Sequence, residues 1–182
     1  MNQLRTLCVM GTFDDQASQE VYKIKEKLKE QGISIDAYEP HVTFGIYTEL
    51  DEESLLKWIG NIAAQHKKIQ ICFNHFGFFP DARLCFLAPC SSYSLLQLHS
   101  NIHDKYDNCC TDKGCLYSLR EKNWIPHMTI ASVDHGQEEK LLSTLWENFL
   151  PFTAELTQLK ITSSDSSEEV GVFELQTNDY IL

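Results

Sequence analysis

Two tetrapeptides in this 182-residue chain carry the residue types of proton-transfer chemistry. Pro40-His41-Val42-Thr43 and Pro126-His127-Met128-Thr129 each set an imidazole and a hydroxyl two positions apart, and 86 residues separate the two histidines. On a β-strand, alternate side chains share a face, so His41 lies with Thr43 and His127 with Thr129, while Val42, Phe44, Met128 and Ile130 bury behind them. Brought together, the two faces would line a cleft with two groups that titrate near neutrality and two hydroxyl donors. That set suits hydrolysis or transesterification of a phosphodiester without a metal. One imidazole takes a proton from the attacking water or hydroxyl and the other returns one to the leaving oxygen. The threonines hydrogen-bond the non-bridging oxygens as charge develops. Which histidine is the base stays open. A single strand histidine or threonine is unremarkable; the repetition gives these four their meaning.

The surrounding pattern supplies elements to hold them. An apolar run from Leu4 to Met10, bounded by Gly11, reads as a strand, and a helix follows with Asp14 and Asp15 at its start, Val21, Ile24 and Leu28 on one stripe and Gly32 after its end. His41 to Tyr47 is a strand. Asp51 to Glu53 open a helix buried through Leu55, Trp58, Ile59 and Ile62. Lys68 to His75 and Arg83 to Ala88 read as paired strands around a turn through Gly77 to Asp81. A helix through Leu95, Leu98, Ile102 and Tyr106 leads to a polar, cysteine-bearing loop at 107–115, then to a strand from His127 to Val133. A last helix, buried through Leu141, Leu142, Leu145 and Phe149, precedes strands at Phe152–Thr162 and Val170–Gln176, with a Ser- and acid-rich loop, Ser163 to Glu169, between them.

The offset of 86 extends beyond the tetrapeptides. It relates Leu55 to Leu141, Leu56 to Leu142 and Ile59 to Leu145, and carries Leu84–Phe86 onto Val170–Val172. The repeat spans 40–88 and 126–174 without a gap, and each half has a strand and a helix ahead of its histidine strand. The expectation is an α+β fold: one compact domain over 1–182, made of two intertwined lobes about a pseudo-twofold axis, with antiparallel sheets lining a central cleft and helices outside.

The paired Pro-His-Val-Thr-Phe and Pro-His-Met-Thr-Ile motifs resemble the duplicated His-X-Thr signature of the 2H phosphoesterase superfamily, in particular its RNA 2′,3′-cyclic phosphodiesterase or 2′-5′ RNA ligase branch. Gly77-Phe78-Phe79-Pro80 with Arg83-Leu84-Cys85-Phe86-Leu87 resembles that branch's middle hairpin. The resemblance implies a bilobal α+β fold, no metal or other cofactor, and cleavage or formation of 2′-linked phosphodiesters through a cyclic phosphate. It carries over His41, Thr43, His127 and Thr129 as catalytic residues. The alternative is a catalytically idle module that binds a nucleotide or RNA end.

Other residues are weaker candidates. Tyr38 and Trp124 each precede a histidine by three residues, and at a cleft rim they would stack on a base; packing at the strand ends is the competing reading. Arg83 could approach a phosphate or be a solvated strand-end charge. His99 and His103, spaced i, i+4, with Cys109, Cys110 and Cys115, raise a zinc-stapled interaction protein as a third class, although adjacent cysteines are not a usual zinc clasp and buried or idle thiols are the expectation.

Composition bounds the partners. Fifteen Lys and Arg against 26 Asp and Glu give a net charge of −11, which disfavours an extended nucleic-acid footprint and leaves a nucleotide or short RNA end as substrate. Seven cysteines, no signal-peptide pattern and no membrane-length apolar run suggest a reducing, cytoplasmic setting and no membrane association. A monomer is expected.

Overall fold

Gly11, which the sequence suggests as the end of the first strand, lies in its interior. In the computed structural model, which describes residues 5–90, 92–164, 166 and 168–177, β1 spans Leu7–Phe13. A Cβ on Gly11 would come within 2.6 Å of Leu156 and 2.7 Å of Phe44, so this glycine admits two core side chains and does not turn the chain. Leu4, part of the expected strand, lies outside the described residues. The helix α1 (Asp15–Glu30) follows, and Asp14 caps it by accepting from the Ala17 amide at 2.9 Å while its other oxygen accepts from the Glu155 amide at 2.6 Å.

The remaining elements are β2 (Ser34–Ile35), β3 (His41–Tyr47), α2 (Glu52–Ala63), β4 (Ile69–Phe79), β5 (Leu84–Pro89), α3 (Tyr93–His103), β6 (Met128–Ser132), α4 (Glu138–Asn148), β7 (Phe152–Ser163) and β8 (Glu169–Glu174). Two residues are too few for periodicity to announce β2. Gly77 belongs to β4, not to the expected turn: a Cβ there would meet the Phe86 ring at 2.6 Å. The turn falls at 80–83, where Arg83 takes a left-handed φ of 52°. Tyr106 lies beyond α3, and the polar loop contains short 3₁₀ turns at Asp107–Cys109 and Asp112–Tyr117. Leu142, expected in the core, is 44 % exposed, and Phe149 follows the end of α4. The expected loop from Ser163 to Glu169 is described only in part.

The strands form one antiparallel sheet in the order β2-β6-β5-β4-β7-β1-β3, with β8 beside β7. The order is symmetrical about the β4–β7 pair: β7, β1 and β3 on one side match β4, β5 and β6 on the other. Shifting β3, α2 and β4 by 86 residues lands on β6, α4 and β7, whereas β5 shifts onto β8, which lies off the main path beside β7 while β1 takes the place equivalent to β5 in the sheet. Hairpins are exchanged between the halves. The β4–β5 hairpin, from the first half, carries β6 on its edge, whereas β7, from the second, pairs β1 from Leu7↔Ser163 to Phe13↔Leu156. Four positions related by the offset, Leu55 with Leu141 and Ile59 with Leu145, are completely buried under the sheet. The result is the α+β, pseudo-twofold, bilobal arrangement that the repeat implies, and it leaves the histidine strands near opposite ends of a curved sheet.

Candidate active site

Curvature brings those ends together. Cα atoms of β3 and β6 come within 8 Å of each other, and the Trp124 indole N–H, three residues before His127, donates to the Thr43 carbonyl at 3.1 Å. The backbone arms both imidazoles in the same way. His41 Nδ1 donates to the Glu39 carbonyl and His127 Nδ1 to the Ile125 carbonyl, each at 2.7 Å and each two residues back. With the proton held on Nδ1, Nε2 of each ring carries the free lone pair.

The two surroundings differ. His41 is opposite Thr12 in the β1–β3 register and Thr43 opposite Met10. Beside His41 lies a recess of about 390 Å³ lined by Tyr38, Glu39, Lys160, Thr162 and Glu169 among others; Thr43, His127 and Thr129 do not line it. Lys160 Nζ pairs with Glu39 at 2.6 Å and Glu169 at 3.1 Å. The Thr43 hydroxyl acts on Cys8 and Tyr117, favouring their ionised forms, but burial outweighs it. Burial pushes the Cys8 thiol up to about 11 and the Tyr117 phenol up to about 12, so both carry protons at neutral pH. His127 instead stands edge-on to Phe79, ring centroids 4.8 Å apart, with Phe86 at 5.5 Å. Desolvation, reinforced by the charge of His41, holds its pKa below the ordinary histidine value against the opposing effect of the Ile125 carbonyl. Thr129 is opposite Phe86 on β5.

The weaker candidates separate. Tyr38 is 53 % exposed and edge-on to His41 at 6.2 Å. Trp124 is a packing residue: its ring stacks on His99 at 3.8 Å and 2°, and Phe44 lies 5.7 Å away. Arg83 is turned to a structural task. Its Nε donates to the Val133 carbonyl at 2.6 Å, one terminal nitrogen lies 3.1 Å from His135 Nδ1, and the other meets Glu138 at 3.2 Å.

Three contributors were hidden in the sequence. Lys25, on the buried stripe of α1 and 2 % exposed, donates to the Asp36 and Tyr38 carbonyls at 3.0 and 2.9 Å and to the Asp36 carboxylate at 3.1 Å, which braces the segment leading to His41. Lys160 and Tyr117 reach the site from elements distant in sequence. Only the alternation of β7, which puts Lys160 opposite Met10, contained a signal for the first.

Residues 13–168 match the family model of the 2′-5′ RNA ligase superfamily, and the chain belongs to that family, a branch of the 2H phosphoesterases. Its fold is similar to that of TT0787 from Thermus thermophilus, at 13 % identity and a TM-score of 0.67 over 95 % of this chain and 99 % of that one. It is also similar to Escherichia coli LigT in its apo form, at 13 % identity and a TM-score of 0.63 over 96 % of each chain, and to LigT complexed with 3′-AMP, at 13 % identity and 0.65 over 95 % and 99 %. No curated protein matches the sequence. The family is of phosphoesterase or ligase type. Among the described residues, no helix is long and apolar enough to cross a membrane.

Proposed function

We propose that this protein is a metal-independent phosphodiesterase that opens a 2′,3′-cyclic phosphate, or makes and breaks 2′-5′ linkages, in a nucleotide or short RNA end. The observation that carries the reading is the identical arming of His41 and His127 by carbonyls two residues upstream at 2.7 Å. The neutral imidazole favoured by its apolar surroundings makes His127 the base of the hydrolytic direction. Its Nε2 takes the proton of the attacking water as the new P–O bond forms, and His41 gives a proton to the ribose oxygen released when the ring P–O bond breaks. In the reverse direction the roles exchange. Thr43 and Thr129 donate to the non-bridging oxygens.

The recess beside His41 is large enough for a nucleoside, with Tyr38 at its edge as a stacking surface. Lys160 is paired with Glu39 and Glu169, so phosphate recognition rests on the imidazoles and hydroxyls, in keeping with a short substrate and a net charge of −11. LigT, similar in fold, has been crystallised with 3′-AMP. The test is hydrolysis of 2′,3′-cyclic nucleotides and cyclic-phosphate-ended RNAs, with products resolved as 2′- or 3′-phosphates. His41→Ala and His127→Ala should each lose about 10²- to 10⁴-fold in kcat, and added Mg²⁺ or Mn²⁺ should not raise the wild-type rate. Binding without turnover would instead identify an idle nucleotide-binding module, and undiminished turnover in either alanine variant would overturn the mechanism.

A further inference from the structure

A second cluster of chemistry-bearing side chains lies away from the cleft, where the cysteine-bearing loop meets β3. His103, on the last turn of α3, is completely buried, and both of its ring nitrogens face acceptors: Nε2 the Phe44 carbonyl at 2.7 Å and Nδ1 the Asp107 carboxylate at 2.9 Å. A neutral imidazole has one N–H and cannot serve both. Held by Phe44, the proton sits on Nε2, and Nδ1 then presents a lone pair to a carboxylate. A cation between them resolves the conflict. The Cys110 thiol, also completely buried, supplies the clue to which cation, since its sulfur is 3.8 Å from the same Nδ1. We propose that His103, Asp107 and Cys110 form a binding site for a divalent transition-metal ion, best matched by zinc, that staples this loop to the end of α3.

The geometry and the charges agree with that assignment. The three ligand atoms lie within 4.8 Å of one another. Tetrahedral zinc, with bonds of about 2.0–2.3 Å, spaces its ligand atoms roughly 3.3–3.7 Å apart, so the His103 pairs at 2.9 and 3.8 Å need shifts of a few tenths of an ångström, and the Cys110 and Asp107 side chains close on each other from within 4.8 Å by rotamer adjustment. A mixed imidazole, carboxylate and thiolate set favours zinc over magnesium or calcium. Binding releases the Cys110 proton to solvent, and Zn²⁺ with one thiolate, one carboxylate and a neutral imidazole sums to zero charge, as a buried site requires. The outer contacts of a metal site are in place. The far nitrogen of His103 is fixed on a carbonyl, and Asp107 accepts from the Ser118 hydroxyl at 2.8 Å and the Leu119 amide at 2.9 Å and pairs with Arg120 at 3.3 Å.

The set differs from the one sequence spacing suggests. His99 is used against the Tyr117 carbonyl at 2.8 Å, Cys109 faces Asn108, and Cys115 contacts the Cys110 carbonyl. The loop itself is pressed on β3: a Cβ on Gly114 would collide with the Ile46 carbonyl oxygen, and the Thr48 amide donates to the Cys109 carbonyl.

Metal content of the full chain as purified, then titration of chelator-treated protein with Zn²⁺ against a chromophoric chelator and with Co²⁺, tests the site. One equivalent per chain and a thiolate-to-cobalt absorption band are expected in the wild type and in Cys109→Ser. Cys110→Ser and Asp107→Asn, each checked for folding by circular dichroism, should bind at least about tenfold more weakly. Zinc below a tenth of an equivalent after titration would overturn the proposal and leave a buried imidazolium–carboxylate pair. Equal affinity in wild type and Cys110→Ser would do the same, and where Cys110→Ser does not fold, a wild-type cobalt complex without the thiolate band decides against it.

Discussion

Replacing Lys25 by Met tests the brace behind His41. The substitution keeps the aliphatic stem and removes the ammonium, leaving the Asp36 carboxylate and the Asp36 and Tyr38 carbonyls without their shared donor. The side chains of Lys25 and Asp36 are only 3 % and 16 % exposed. Breaking a buried pair from one side costs about 3–5 kcal/mol, and the residual exposure of Asp36, which lets water reach the carboxylate, places the loss at about 3 kcal/mol, a hundredfold or more in the folding equilibrium. Urea denaturation of the wild type, Lys25→Met, Asp36→Asn and the double variant gives the coupling directly. The double variant, with no stranded charge, should recover about 1–2 kcal/mol relative to Lys25→Met. Because Asp36 to Tyr38 lead into the carbonyl that orients His41, Lys25→Met should also lower kcat for cyclic-nucleotide hydrolysis, and the double variant should restore part of it. A single variant that loses less than about 1 kcal/mol, or a double variant no better than the single, would refute the idea of a buried electrostatic strut.

Three further outcomes follow from the site. His127 must be neutral to act as base, and its lowered pKa keeps it neutral further into acid, so the acid limb of kcat/KM should fall below the ordinary value of 6.5. Phe79→Asn, by admitting water beside the ring, should move that limb upward, and an unmoved limb in a folded variant would remove desolvation as the cause. Arg83→Ala should leave KM within about twofold while costing about 1 kcal/mol in thermal or chemical unfolding, since its guanidinium holds Val133 and Glu138. Gly77→Ala would drive a methyl into the Phe86 ring that packs on His127; overpacking of this kind costs about 1–3 kcal/mol, and turnover should fall with it.

Much of this arrangement was legible in the sequence because it depends on short periods. Alternation along a strand assigns His41 with Thr43 and His127 with Thr129 to shared faces, and the constant offset of 86 announces the pseudo-symmetry of the sheet. The caps at Asp14 and Asp51 were equally plain. What stayed hidden depends on neighbours distant in the chain. Gly11 and Gly77 look like punctuation until Leu156, Phe44 and Phe86 are seen to fill the space above them. Lys25 could not be singled out locally, since nothing near it in sequence says that Asp36 and Tyr38 return to meet it. Trp124 and Arg83 obeyed plausible local rules, but an indole on His99 and a guanidinium on the Val133 carbonyl are decided by tertiary packing.

The exchange of hairpins between halves also sets an order of assembly. The strand that flanks β1 on the His41 side of the sheet is β7, and it pairs Leu7 with Ser163, nearly the whole described chain away. While the chain is being made, β1 and β3 therefore wait with one long edge unpaired, whereas β4, β5 and β6 can associate as they emerge. Contacts of such sequence separation are slow to form because loop closure must precede any reward from pairing. The His127 side should thus consolidate first, and proton-transfer competence should arrive only with the closing of the β1–β7 seam, making recovery of activity a late event in refolding.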